Sequence, residues 1–541
     1  MKKKLDINII LKSSIVIIAI ITLAIIIFLN AKYNVTISRY EEHININYMN
    51  FMQLILSILT IIIMVLVTNK LSRLNINKKR KTILMILVIA IYAIFQILWV
   101  SQCKLDPGAD ADMVYGAAKR MYKNMGTSEI MLAYFGYYKQ NIGLVAIFET
   151  LMKIFHTDSL NLFRYTNILC NVLMVLGLYN IYKEIDTKKK KNSCLFFVLT
   201  IGFLPISLLC TWAYGDFIGL SLSVWAIFFI MKYCKKKQNI YFVLSSFSMS
   251  GAIIARSNSM IFLIAILIYL IFSIKDEKTQ KDKIIKILMI AALIVIAIIP
   301  NKLLIKHFSD KWNINERKEK SVITYLYMGM SEGDMGNGWY NNEVGRINEE
   351  MKKRPKEDKT IENETKEKLQ NRVKFLLGNP KYTIQFYKNK ILSMWAEPTM
   401  ESEVYNSQKN IDTSENALFV KIFEGKNFEI IKSIQKIINC IIYIGTLIYI
   451  WINRKKISNE ILLLILVFLG GFSFHLLWEA KSRYIIPYIV ILIPVAVSGA
   501  EEIIEKLEMK IRKKNSRMLE AGKIERKIKN EKNINSYTNV L

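Results

Sequence analysis

The sequence of 541 residues is 52% hydrophobic, with a mean hydropathy of +0.26 and a formal charge of +30. Apolar runs of about 16 to 22 residues recur along it, the length that crosses a hydrocarbon core, so it reads as a polytopic membrane protein and not as a soluble domain. Its basic residues sit in short loops between those runs, where they set orientation in a bilayer, and this removes the nucleic-acid partner that so high a charge would otherwise suggest.

The chain opens on Met1-Lys2-Lys3-Lys4, followed by an apolar run from Ile15 to Leu29. That order has the layout of a secretory signal, but no small-x-small site follows and Lys32 lies just beyond the run, so a first span entering from the cytoplasm is expected. Further spans are expected, giving in all residues 11–30, 51–69, 82–101, 162–182, 194–211, 216–232, 240–255, 258–274, 284–301, 432–451, 460–477 and 484–500. With the first running outward, the loops Lys70–Lys81, Lys188–Lys191, Lys235–Lys237, Lys275–Lys286 and Arg454–Lys456 all fall on the cytoplasmic side, with the basic tail after Ala500.

Two segments decide this parity. Asn141–Phe155 is short for a span and carries Glu149 and Lys153 near its end, so it is expected to lie at the outer surface, after a second surface helix over Asp112–Lys123. Residues 240–274 are too long for one ordinary span and hold Arg256-Ser257-Asn258 at the centre, which predicts a tight helical pair whose polar hinge reaches the outer interface. The expected fold is all-α: about twelve transmembrane helices with both termini inside, surface helices in the first large outer loop (102–160), and a small, mainly α extracytoplasmic domain.

That domain is expected over 302–431, between a transmembrane module (1–301) and a second helical group (432–500) that leads into a basic cytoplasmic tail (501–541). Here the charge is mixed and helix punctuation is clear: Gly378 closes one helix, and Asn379-Pro380 opens another that runs to Trp395 and stops at Pro398, suited to lying along the headgroup layer. The glycine-dense stretch Met328–Tyr340 signals a cluster of turns. The six cysteines are scattered without paired spacing and read as packing residues, and the four histidines form no metal-binding pattern.

The polar motifs fall on the expected outer face. Asp106, Asp110 and Asp112 are candidates for a general base that takes a proton from an attacking hydroxyl, against the plainer reading that they cap a helix. The Asp110/Asp112 pair is a candidate for a divalent metal through hard oxygen ligands, although two carboxylates are a weak signal and no cofactor is required by the pattern. Asp216 opens a span on the same face. Arg256, Arg483 and Arg164 are candidate anion binders, since guanidinium matches phosphate bidentately; snorkelling to lipid headgroups is the competing explanation for each alone. Trp339, Tyr340 and Trp395 are candidates for stacking on a sugar ring.

Asp112-x-x-Tyr115-x-x-Ala118 after an aspartate-bearing loop, Tyr214-Gly215-Asp216 at the head of a span, and Glu479-x-x-x-Arg483-Tyr484-x-x-Pro487 near the end resemble the GT-C superfamily of integral membrane glycosyltransferases, in particular the protein O-mannosyltransferase and aminoarabinose-transferase-like branch. The resemblance covers most of the spans and hardly the first two, and the first loop lacks the Asp-Glu doublet common in the mannosyltransferases. It implies an active site on the extracytoplasmic face of the plasma membrane and a sugar donor carried on polyprenyl phosphate. Transfer to the hydroxyl of a cell-surface glycan, lipid or protein would proceed with inversion. Carried over, Asp112 would be the base, with Asp110 and Asp106 behind it, and Arg483 the phosphate contact, helped by Arg256 or Arg164. Asp216, Tyr214, Glu479, Tyr484, Trp339 and Trp395 would line the substrate site. The alternatives are a flippase or transporter of lipid-linked glycan, which would favour charges at broken helices, and a glycan polymerase or ligase.

Overall fold

Helices begin where a short polar side chain precedes an apolar run. Asn50 accepts from the backbone N–H of Met52 at 3.0 Å, Asn77 from that of Arg80 at 2.8 Å, and Ser458 from that of Ile461 at 3.3 Å, each satisfying a donor that the first helical turn leaves free. The computed structural model describes residues 7–38, 42–74, 76–102, 106–185, 192–317, 319–353, 358–407, 422–423 and 425–538; the expected lysine loop 188–191 lies outside them, as does 408–421 of the expected outer domain.

In chain order the elements are α1 (Ile7–Lys32), β1 (Tyr33–Ile37), β2 (Ile44–Tyr48), α2 (Phe51–Ser72), α3 (Lys78–Ser101), α4 (Ala109–Tyr122), α5 (Glu129–Tyr137), α6 (Ile142–Phe155) and α7 (Leu160–Ile185). They continue with α8 (Ser193–Gly202), α9 (Leu204–Leu208), α10 (Asp216–Lys236), α11 (Asn239–Ala255), α12 (Met260–Ile274) and α13 (Gln280–Lys311). After these come α14 (Val322–Met330), α15 (Asn342–Lys353), α16 (Asp358–Gly378), α17 (Pro380–Trp395), α18 (Ser402–Ser407), α19 (Gly425–Asn453), α20 (Asn459–Leu477), α21 (Ile486–Val490) and α22 (Ile493–Thr538).

Among the described residues nine helices are long and apolar enough to cross a membrane, or up to eleven if the bent pairs 193–211 and 482–516 each count as one span. The chain is thus an all-α integral membrane bundle, and the expected pair over 240–274 is present as α11 and α12 with Arg256 at the break. The 14-residue α6 is not among the spans and packs on α4 and α13. One element departs from the all-α expectation: β1 and β2 form an antiparallel hairpin, in register from Tyr33↔Tyr48 to Ile37↔Ile44, and the Ile44 N–H donates to Met335 O at 3.1 Å. Tyr33, Val35 and Ile37 are buried while Asn34 and Thr36 are less so, the two-residue period of a half-covered strand. The expected segment limits at 301/302, 431/432 and 500/501 each fall inside a continuous helix, α13, α19 and α22.

Polar ties gather the lysine-bearing turns at one end of the bundle. Lys12 donates to Asn459 at 2.6 Å, Asn459 to Asp276 at 3.1 Å, Ser72 to Asn192 at 2.7 Å, and Asn453 to Glu502 at 2.7 Å. The turns with the acidic, arginine and aromatic motifs meet at the other end.

Small residues let the helix axes approach where no hydrophobic force distinguishes a neighbouring helix from lipid. A Cβ on Gly499 of α22 would stand 1.9 Å from Gly445 O of α19, and one on Gly215, just before α10, 2.0 Å from Ala255 O at the end of α11. Gly378, by contrast, has open space around the same position. Gly499→Ala is therefore expected to lower the thermal unfolding midpoint of the detergent-purified protein, because the opposing atom is backbone and cannot swing aside, while Gly378→Ala leaves it unchanged within a degree or two. Equal midpoints for the two variants would refute the close α19–α22 contact.

Candidate functional site

Asp216 stands in the first turn of α10, where the helix N-terminus favours a negative charge. Its Oδ1 receives Arg256 Nε at 2.9 Å and its Oδ2 receives Arg483 Nη1. The close approach allowed by Gly215 and Gly219 brings the α11–α12 break onto α10, and a Cβ on Gly219 would meet Arg256 Cβ at 2.8 Å. Rings cover both guanidiniums: Tyr214 and Tyr484 lie 4.9 and 5.5 Å from Arg256, and Tyr405, Tyr484 and Trp212 lie 4.6, 5.1 and 5.5 Å from Arg483. Arg483 Nε is buried with no hydrogen-bond partner among the described residues. Two guanidiniums share one carboxylate, leaving a net positive charge at the head of an apolar cleft. The free space of this cleft, counting the part open to solvent, is about 580 Å³, and Phe217, Leu220, Phe262 and Ile486 line it beside the charged groups.

Arg164 does not join that pair. It is buried in α7, donating to Thr211 O at 3.1 Å and to Asn161 Oδ1 at 3.0 Å. The backbone at 208–212, where the helical pair α8–α9 runs out, needs such partners: Asn167 Nδ2 donates to Trp212 O at 2.8 Å, Trp99 Nε1 and Asn406 Nδ2 each to Leu208 O at 2.9 Å. These contacts make Arg164 a support for the wall that presents Trp212.

Outside the arginines lies a chain of polar contacts. Tyr214 donates to Asn141 Oδ1 at 2.9 Å, Asn141 Nδ2 to the Tyr134 hydroxyl at 2.6 Å, and Tyr134 to Asp110 Oδ1 at 2.8 Å. Burial, with the neighbouring Tyr214 and Asp110, holds the Tyr134 phenol well above its ordinary range, so it remains a donor. Asp110 also faces Glu479, whose carboxyl is pushed up by burial and further by the Asp110 charge, against the pull of Lys481 and Lys320.

Of the three aspartates only Asp110 is drawn into this network. The buried residues of α4 are Ala111, Val114, Ala117, Ala118 and Met121, and at about 100° per residue Asp110 borders that face whereas Asp112 projects from the opposite one. Asp106, Asp110 and Asp112 are all exposed by area, and what sets Asp110 apart is the Tyr134 hydroxyl on its Oδ1. Two residues apart on α4, Asp110 and Asp112 leave the helix in different directions, and among the described residues no group of three or more His, Cys, Asp or Glu converges. Trp339 and Trp395, expected to stack on a sugar, are both fully buried: Trp339 donates to Ser393 Oγ at 3.1 Å, and Trp395 packs among Tyr443, Phe468 and Phe472. They are core residues because α17 plugs into the bundle at its C-terminal end and does not lie flat.

Sequence reasoning missed the elbow after α17. Glu397 accepts from Thr399 N at 2.7 Å, Thr399 Oγ1 at 2.6 Å, Glu401 N at 2.9 Å and Ser482 Oγ at 2.9 Å, and Glu401 accepts from Ser482 Oγ at 3.1 Å and Arg483 N at 3.3 Å. Met400 and Glu401 take left-handed backbone angles, φ 50° and 59°, to make the turn. This elbow grips the backbone that carries Arg483. Lys481 beside it pairs with Glu42 of the hairpin loop at 2.7 Å, and Lys390 donates to Leu476 O and Trp478 O at 2.9 and 2.7 Å, holding the end of α20. The available signal was three glutamates in the short stretch Glu397–Glu403 after a proline-terminated helix.

A profile of the family described as "Conserved hypothetical integral membrane protein" matches residues 7–502. No curated protein matches. Among solved structures the chain is similar to the Archaeoglobus fulgidus oligosaccharyltransferase in the apo form, at 13% identity and a TM-score of 0.39, covering 80% of this chain and 52% of that one. The chain thus spans about half the length of that protein.

Removing one partner of a buried ion pair costs roughly 3–5 kcal/mol because the other charge is left stranded. Asp216→Ala leaves two facing guanidiniums and is expected to lower thermal stability sharply, while Asp216→Glu, which keeps the charge, recovers part of the loss. Unfolding midpoints in one detergent decide it, and an unchanged midpoint for Asp216→Ala would remove the triad from the structural core.

Proposed function

This chain belongs to that family of conserved hypothetical integral membrane proteins, and we propose that it is a membrane glycosyltransferase that moves a sugar from a polyprenyl-phosphate carrier to an acceptor hydroxyl at the extracytoplasmic face. The observation that carries the reading is the Arg256–Asp216–Arg483 triad at the head of an apolar cleft, with the Asp110 and Glu479 carboxylates just beyond it. An apolar cleft suits a prenyl chain, a guanidinium pair suits its phosphate, and a carboxylate suits proton removal from a hydroxyl.

In the proposed reaction the acceptor oxygen bonds to the anomeric carbon as the bond from that carbon to the phosphate oxygen breaks. The electron pair leaves on the phosphate, where Arg256 and Arg483 offset its charge, and the hydroxyl proton passes to Asp110. Tyr134 occupies Oδ1 of Asp110 and so orients the carboxylate. Glu479 orients the acceptor, and a single displacement inverts the sugar. The extracytoplasmic placement supposes that the lysine-rich turns lie on the cytoplasmic side; both termini join them there when the 17-residue α11 is counted as a span beside the eleven.

A flippase of lipid-linked glycan is the second reading, favoured by the bent helix pairs and by Arg256 at a helix break. Transfer of radiolabelled sugar from polyprenyl-phosphate sugars by the purified protein separates the two. Transfer lost in Asp110→Asn, with lipid binding kept, and retained in Asp112→Asn supports the transferase assignment; lipid binding without sugar release from any donor supports the flippase. Burial of Glu479 also predicts a pH effect. An ordinary glutamate titrates near about 4.3; because this one holds its proton to higher pH and must be ionised to orient the hydroxyl, transfer should fall as pH falls through that raised value, and Glu479→Gln should lower the rate and flatten the acid limb. An acid limb unchanged in Glu479→Gln assigns it to another group. Sidedness is checked with single cysteines in a cysteine-free background: positions 110 and 340 should label from outside intact cells, and 79 and 455 should not.

A further inference from the structure

Lys320 is a buried cation that the proposed transfer leaves unused. It precedes α14 and is only 9% exposed, and its backbone N–H donates to Tyr137 O at 2.9 Å, which fixes the stem against α5. Its ammonium faces two rings, Tyr325 at 4.3 Å and Tyr138 at 5.7 Å, and makes no ion pair among the described residues. Those rings are themselves fastened to the site: Tyr325 stacks on Trp478 at 4.8 Å and 16°, next to Glu479, and Tyr138 packs at 4.9 Å on Tyr134, which holds Asp110. Lys352 lies 5.8 Å from the Tyr138 ring centre and adds a second positive charge near Lys320. The three donors of Lys320 make no hydrogen bond or ion pair among the described residues, although the Glu479 and Asp110 carboxylates act on it through their charge, so an anion of fitting size would find unused donors there. Burial draws the ammonium down to about 8, with Glu479 and Asp110 opposing, so it is charged at neutral pH.

We propose that Lys320 is the anion-binding residue of an acceptor subsite, and that the acceptor is a polyol or sugar bearing an acidic group, phosphate or carboxylate, close to the hydroxyl that attacks. This rests on the transferase reading for its place in a reaction, but the binding site stands or falls by itself. The two carboxylates nearby, Asp110 and Glu479, then act on the hydroxyl end of the same molecule.

The test is equilibrium binding to the purified full-length protein in nanodiscs of neutral lipid, with glycerol 3-phosphate and glucuronic acid as the acidic probes and glycerol and glucose as their neutral counterparts. At least one acid should bind measurably while its neutral counterpart does not, and which acid binds names the anion. Lys320→Gln should weaken that binding about tenfold, and Lys320→Arg should retain most of it. Lys320→Met replaces the glutamine variant if the latter lowers the unfolding midpoint. Acids that bind no better than neutral probes, or equal binding by Lys320→Gln, overturn the proposal. None of these readouts requires sugar transfer, so failure of the transferase reading would register separately in the transfer assay.

Discussion

A charge beside lipid has to be paired, and Asp216 is where that requirement is met. One carboxylate at the head of α10 receives arginines from two distant parts of the chain, the α11–α12 break and the turn after α20. None of the three groups is stable in that position without the others. The same requirement explains the glycines: Gly215 and Gly219 exist where a side chain would push the Arg256 turn off the helix. Close backbone packing and the ion triad are thus one feature.

Breaking a helix near a membrane creates a second obligation, since freed N–H and C=O groups find no water there. The bundle answers it with buried polar side chains. Asn167, Asn406, Trp99 and Arg164 serve the backbone at 208–212, Glu397 and Glu401 serve the backbone at 482–483, and Lys390 serves the end of α20. Each of these groups could be mistaken for a functional residue by type alone. What distinguishes the cleft is that its two guanidiniums share one carboxylate beside open apolar space.

The segment between α13 and α19 is therefore part of the site. α17 inserts Trp395 into the bundle core, the elbow behind it holds the Arg483 strand of chain, and the β1–β2 loop reaches Lys481 through Glu42. A substrate bound among Asp110, Glu479 and Lys320 would touch α4, α14 and the turn after α20, elements separated by more than three hundred residues of sequence. Rigid coupling of that kind suits a reaction in which donor and acceptor must be aligned before a proton moves.

The sequence by itself determined the membrane class, the helical segments, the pairing of α11 with α12 and the end of the bundle at which the polar motifs gather, because run length, caps and loop charge act locally and survive without tertiary information. It also brought Arg256 and Arg483 forward together, though with Arg164 beside them, and Asp216 apart from them as a substrate contact. Only the tertiary structure decided which of the aspartates reaches Tyr134, since that depends on the rotation of α4 against α6, and which tryptophans are core, since that depends on where α17 inserts. Arg164 and Arg256 look alike in sequence, each a cation at the edge of an apolar run. What separates them is the partner: a backbone carbonyl for Arg164, a carboxylate at the mouth of a cleft for Arg256. Contacts across hundreds of residues leave no local pattern from which they could be read.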